Sequence, residues 1–175
     1  MKTILAAAPR AIAHPEDYNA RAELMWAGTL AHNNTCGVGR QQDWASHQIE
    51  HELSAFYDCA HGAGLAVVTP AWMRYVMLHN APRFAQFAVR VFGCEMDFAH
   101  PENTAEEGVK RLEEWLRSIG MPVTFAEIGA REEDIPAILA HRAKKPNAFP
   151  FGNFVKIYEK DMEAILRLAA GKPAC

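Results

Sequence analysis

The stretch EEGVKRLEEWLRSIG, Glu106 to Gly120, constrains the fold most. Val109, Leu112, Trp115, Leu116 and Ile119 recur every three or four residues, which gathers them on one stripe of a helix and leaves the charges on the other face. Gly120 stands where a helix commonly ends, and Asn103 or Thr104 is the expected cap at its start. The same period runs through most of the chain. Lys2 to Ala13 reads as a first helix with Ile4, Leu5, Ala8 and Ile12 as its apolar positions. Pro15 fits the first turn of a second, which carries Tyr18, Ala22, Met25, Trp26, Thr29 and Leu30 and ends at Asn33, Asn34, Gly37 and Gly39. Asp43 is the expected cap of a third, with Trp44 to Tyr57 as its body and Trp44, Ile49, Leu53 and Phe56 as its apolar positions. HGAGLAVVTPAWMRYVMLH reads as a long, mostly buried helix kinked at Pro70. Leu65 to Val68 alone suits a strand, but helical spacing continues into Ala71, Trp72 and Met73. Helices are also expected over Pro82 to Phe92, Glu132 to Ala143, and Tyr158 to Ala169, the last with Met162, Ile165 and Leu166 facing inward. KKPNAFPFGNFVK reads as a loop. No hairpin signal, repeat or low-complexity tract appears. The expected architecture is an all-α, multi-helix bundle, one domain over residues 1–175.

Half of the 175 residues are hydrophobic, enough for a core of useful size. A net charge of -3 and a sequence pI near 6.2 give no reason to expect nucleic acid or an acidic membrane as partner. No apolar run reaches the length of a membrane span. The start, MKTILAAAPRAIAHPEDY, is interrupted by Pro9 and Arg10 and suits an amphipathic helix better than a signal peptide. The cysteines Cys36, Cys59, Cys94 and Cys175 include no CxxC pair, which points to a reducing, cytoplasmic compartment. There is no GxGxxG or Walker-type loop, so this chain carries no usual phosphate cradle.

The chemistry concentrates in DWASHQIEHELSAFYDCAHG, with His47, His51 and His61. On a helix His47 and His51 share a face, and imidazole is the commonest transition-metal ligand. His61 follows His47 by fourteen residues, past a turn that lets the chain double back. Gly62 and Gly64 then permit close approach of a backbone or a ligand. HQIEH also fits H-x-x-E-H, the inverted zinc protease signature, in which two histidines bind zinc and Glu50 activates water. That fold needs an α+β scaffold and a distal acidic ligand, neither of which the sequence offers. His14, His32, His79, His100 and His141 have no patterned neighbours. The GVGR segment, Gly37 to Arg40, reads equally as a ligand-approaching loop or an ordinary connection.

The run DWASHQIEHELSAFYDCAHGAGLAVVTPAWM resembles the signature of the iron-containing (group III) alcohol dehydrogenases, nearest their butanol dehydrogenase-like branch. The likeness extends more loosely through MKTILAAAPRAIAHPEDYNARAELMWAGTLAHN and GNFVKIYEKDMEAILRLA, and so covers nearly the whole chain. The resemblance implies the C-terminal metal-binding domain of the dehydroquinate synthase-like/iron alcohol dehydrogenase fold. It implies that His47 and His61 are ligands of Fe2+ (or Zn2+), and that His51 is a non-ligand histidine near the nicotinamide that relays a proton or shapes the pocket. The family's aspartate and first histidine ligand, in a D-x-x-x-H pattern, and its NAD(P)-binding domain would lie upstream of Met1. Small alcohols and aldehydes are the implied substrates, interconverted by metal-assisted hydride transfer. As this chain alone, the expected state is inactive, either a homodimer or associated with an N-terminal half; a non-catalytic assembly or metal-binding module is the alternative. Trp44, Phe149 and Phe151 read either as substrate-side aromatics or as core and loop anchors.

Overall fold

The computed structural model describes residues 1–171. Among them the chain forms α1 (Lys2–Ala13), α2 (Tyr18–His32), α3 (Ala45–Tyr57), α4 (His61–Val76), α5 (Ala81–Phe87), α6 (Pro101–Ser118), α7 (Ile135–Ala143) and α8 (Glu159–Ala169). No strand occurs among them; Phe151 and Ile157 make a single antiparallel bridge. The all-α expectation holds. Cys175 lies outside the described residues.

Helix α4 is apolar nearly all round, and such a helix is stable only when covered. It buries Ala66, Val67, Val68, Pro70, Ala71, Met73 and Val76 beneath α3, α6 and α8. The chain continues as helix through Pro70, and a short 3-10 turn, Met77–His79, follows Val76. Ile49 and Leu53 of α3, Val109 of α6, Ile138 of α7, and Met162, Ile165 and Leu166 of α8 complete the centre, each fully buried. Burying one such side chain is worth about 1.5–3 kcal/mol, so packing rather than helix propensity holds the short α7 and α8. Polar ties then fix the helix pairs. Arg74 of α4 donates from Nε to Glu106 (3.0 Å) and from both terminal nitrogens to Glu113 (2.6 and 2.8 Å) on α6. Tyr75 donates to Asp161 of α8 at 2.6 Å; burial and that carboxylate push its phenol up to about 12. The Trp115 indole donates to the Leu5 carbonyl at 3.3 Å and ties α6 to α1.

Several helix starts differ from the sequence reading: the helix expected from Glu132 opens as a 3-10 turn, Glu132–Asp134, and α7 proper begins at Ile135. The second helix is capped by Asp17, whose side chain accepts from the Ala20 N–H at 3.0 Å, and Pro15 lies in the turn before it. The sixth begins at Pro101, because Thr104 and Asn103 bond the loop ahead of them. Thr104 Oγ1 accepts from the Asp97 N–H at 2.8 Å, and Asn103 donates to the Asp97 carboxylate at 3.0 Å. Asp43 accepts from the Ala45 N–H at 2.6 Å, one position earlier than a cap proper, and its other oxygen accepts from the Asn153 N–H at 2.9 Å. The helix expected over Pro82 to Phe92 is α5 followed by a π-helical turn, Ala88–Phe92, ended by left-handed Gly93. At this turn Gly108 of α6 comes so close that a Cβ on it would lie 2.4 Å from the Ala88 Cβ and 2.9 Å from its Cα.

The apolar stripe of α2 faces outward. Tyr18, Met25 and Trp26 are exposed, since α2 packs chiefly on α1 and buries only Ala20.

Helix α7 is held to α3 by Glu52, a carboxylate with no exposed surface. Lys145 Nζ lies 2.6 Å away, His141 Nδ1 2.8 Å and Arg142 3.6 Å. Burial alone would push this carboxyl up; hydrogen bonds from Lys145 and His141 outweigh it and hold the group below the usual carboxylate range. A carboxylate lowered on folding lends stability above its unfolded pKa, about 4.3 for Glu, and loses it as pH falls through the native value. Glu52→Gln should therefore cost about 2 kcal/mol at pH 7, and the gap to the native protein should close in acid. Urea unfolding at several pH values measures this; a gap that stays constant down to pH 3 contradicts it.

Candidate metal centre

Helix α3 carries His47 and His51 one turn apart, and α4 begins with His61. Between them Asp58 adopts a left-handed conformation (φ 49°), which ends α3 and turns the chain back; an acidic side chain tolerates that region better than most. The reversal brings the three rings together. The His47 and His61 ring centres are 5.4 Å apart, and those of His51 and His61 5.5 Å. Trp44 stands edge-on to His47 at 4.8 Å.

Glu50 lies beneath this cluster with no exposed surface. One of its oxygens accepts from His61 Nδ1, the other from the Ser54 hydroxyl. A carboxylate has no proton to give, so His61 donates from Nδ1 and keeps the lone pair of Nε2 free. Gly64 makes room: a Cβ there would lie 2.5 Å from Glu50 Oε1 and 2.7 Å from its Cγ. The close approach expected of Gly64 is thus to a side chain of α3. Gly62 faces open space.

His47 Nδ1 is buried without a hydrogen-bond partner among the described residues. Burial, followed by the neighbouring His61 and His51, holds this imidazole below the ordinary histidine range. The ring is therefore neutral near pH 7, the form that offers a lone pair to a metal. An orphaned nitrogen beside a second oriented imidazole fits the donor set of a divalent iron or zinc ion. A different trio, Glu50, His51 and His61, can bring one ligand atom each within 4.8 Å of one another. Each Glu50 oxygen already accepts one hydrogen bond, from His61 or from Ser54. His61 is common to this trio and to the pair His47 and His61.

The aromatic expectations divide. Phe151 is buried in the core, with the Arg142 guanidinium 4.7 Å from its ring centre. Phe149 packs against the same core; only Trp44 touches a site histidine. The GVGR segment closes on itself, with Gln42 donating to Asn34 at 2.6 Å, and Gly39 takes a positive φ of 72°. The protease reading fails on the absence of strands among the described residues, and Glu50 is buried with both oxygens hydrogen-bonded. His141, without pattern in the sequence, is a structural partner of Glu52. Glu50 itself was legible only as a protease base.

Two helices that bring three histidines over a buried carboxylate, within an all-α bundle, are the features to set beside known proteins. The family described as Fe-containing alcohol dehydrogenase family, C-terminal, matches residues 1–170. A probable NADH-dependent butanol dehydrogenase of Bacillus subtilis is 36% identical over 167 residues, 95% of this chain and 43% of the relative. NADH-dependent butanol dehydrogenase A of Clostridium acetobutylicum is 34% identical over 153 residues, 87% of this chain and 39% of the relative. The crystal structure of NADH-dependent butanol dehydrogenase A from Thermotoga maritima superposes with a TM-score of 0.90 at 41% identity, over 97% of this chain and 44% of that one. The chain belongs to the iron-containing alcohol dehydrogenase family and corresponds to its C-terminal helical portion. It spans about two-fifths of the length of these relatives.

The notch at Gly64 gives a direct prediction. Gly64→Ala places a methyl group against a pinned, buried carboxylate, and overpacking of that kind costs about 1–3 kcal/mol. Against it stands a gain of up to about 1 kcal/mol in helix propensity. The expected net effect is a fall in Tm of a few degrees, at about 2–4 °C per kcal/mol for a chain of this size. Calorimetry decides it, and a raised Tm would show that Glu50 yields freely.

Proposed function

We propose that this chain is the metal-bearing helical part of an NAD(P)-dependent dehydrogenase that interconverts primary alcohols and aldehydes. The observation that carries the reading is the pairing of His47 with His61, whose tautomer is set by a buried carboxylate. The named relatives support the substrate class and the coenzyme: they include NADH-dependent butanol dehydrogenases and an NADPH-dependent aldehyde reductase of Escherichia coli.

In this reading His47 and His61 hold Fe2+ or Zn2+. The ion, when bound, supplies Lewis acidity at the substrate oxygen and favours the deprotonated alcohol. His51, exposed and beside His61, is placed to take or return a proton at its ring nitrogen. Trp44 stands edge-on against His47 on one side. Two imidazoles make a weak site on their own, and nothing in these residues cradles a dinucleotide phosphate. The 175 residues alone are therefore expected to be inactive. The exposed face of Tyr18, Met25 and Trp26 supports association through α2, with a second copy or with the remainder of a family-length enzyme.

Elemental analysis and Zn2+ titration of the purified chain test the metal reading. Zinc uptake should fall, in a His47→Ala/His61→Ala double variant, to the level of the scattered surface histidines; equal uptake in both proteins would sink it. NAD(P)H-dependent butanal reduction by the same preparation would overturn the expectation of inactivity. Sizing at micromolar concentration tests the α2 face: a dimer that Trp26→Glu dissociates is expected, and a monomeric native chain argues against self-association.

A further inference from the structure

We infer that Glu50 is a positioning residue, fixing His61 in the tautomer and orientation that present Nε2 to a divalent ion, while Ser54 and Gly64 hold the carboxylate in place. The inference rests on the reading of His61 as a ligand. His61 is the first residue of α4, and half of its side chain is exposed. At such a position an imidazole ring rotates and samples both tautomers unless something holds it. The contact with Glu50 Oε2 is the hydrogen bond that holds this one. His51 shows the contrast: it is exposed, and among the described residues no hydrogen bond reaches its ring.

Glu50 suits support rather than ligation. It is fully buried, and a buried carboxylate with an unused oxygen is costly. Here the Ser54 hydroxyl occupies the oxygen that His61 leaves. The side chain reaches that place only because Gly64, on the turn of α4 after His61, carries no Cβ to block it. The carboxylate also lies near the N-terminal end of a helix of 16 residues, where the aligned peptide dipoles favour negative charge. A carboxylate hydrogen-bonded to the far nitrogen of a ligating imidazole raises its basicity and fixes its direction. Three residues outside the ligand pair thereby serve one ring.

The test compares Zn2+ affinity, by competition with a chromophoric chelator, and the long-range 1H–15N spectrum of the His61 ring. Native protein is set beside Glu50→Gln, Glu50→Met and His61→Ala. Glu50→Met should weaken Zn2+ binding about 10–100-fold and shift the metal-free ring to mixed tautomers. Glu50→Gln keeps an acceptor without the charge, so the Nδ1–H tautomer should persist with a smaller loss of affinity. Native affinity and an unchanged ring in Glu50→Met, with Zn2+ binding lost in His61→Ala, would overturn the role of Glu50 and leave His61 a ligand. Native affinity in His61→Ala would instead overturn the ligand reading beneath it. If Glu50→Met does not fold, Ser54→Ala carries the test through the carboxylate's second partner: a several-fold weaker Zn2+ affinity supports the role, and an unchanged affinity and tautomer overturn it.

Discussion

A carboxylate cut off from water sits in the seam between α3 and α4, and much of the local structure follows from accommodating it. Removing such a group from water is tolerable only when both oxygens find donors. Glu50 finds them in His61 and Ser54. That requirement fixes how near α4 must come, which in turn requires a residue without a side chain at position 64. It also fixes where α4 must begin, since His61 reaches the carboxylate from the first helical position. The left-handed Asp58 is the short reversal that delivers it there.

The same helix repeats the device on another side. Glu52, two residues on and equally buried, gathers Lys145, His141 and Arg142 from the region of α7. Ile49 and Leu53 fill the core between them. Helix α3 is thus gripped by an apolar face and by two carboxylates that address different neighbours. Both site histidines of α3 stand on an element whose rotation is fixed from several directions. The spacing of the rings is a property of the packed chain.

Much of this was legible in the residues. The stripes of α6 and α8 and the apolar run of α4 each gave a helix, and the inward positions Met162, Ile165 and Leu166 are buried. Periodicity reports burial faithfully where one face meets a core. On α2 the same spacing marks a helix without marking a core, since Tyr18, Met25 and Trp26 are exposed. Helix starts were harder, because Asp17, Asn103, Thr104 and Pro15 are all good candidates and the choice depends on which backbone group each reaches in three dimensions. In the site, the likeness of the HQIEH…HGAGLA run to the family paired His47 with His61 across fourteen residues, where the helical face alone paired His47 with His51. Glu50 was invisible in its actual setting. The signals were present, an acidic residue one turn from a serine and a glycine three residues after a histidine. Their meaning depends on two helices meeting, which a single segment does not encode.

The forked contact of Arg74 bears on the histidine cluster from a distance. It clamps one end of α4 to Glu106 and Glu113, and the adjoining Tyr75 clamps the same end to Asp161. The other end is held at His61 by Glu50. The two clamps lie thirteen positions apart on continuous helix, about 20 Å at the usual rise. Helix α4 is therefore anchored at both ends, with half of its sixteen residues buried. A shift of α6 or α8 against the bundle cannot be absorbed by a loop before it reaches the histidine. His61 and the ties to α6 and α8 thus stand on one continuous helix.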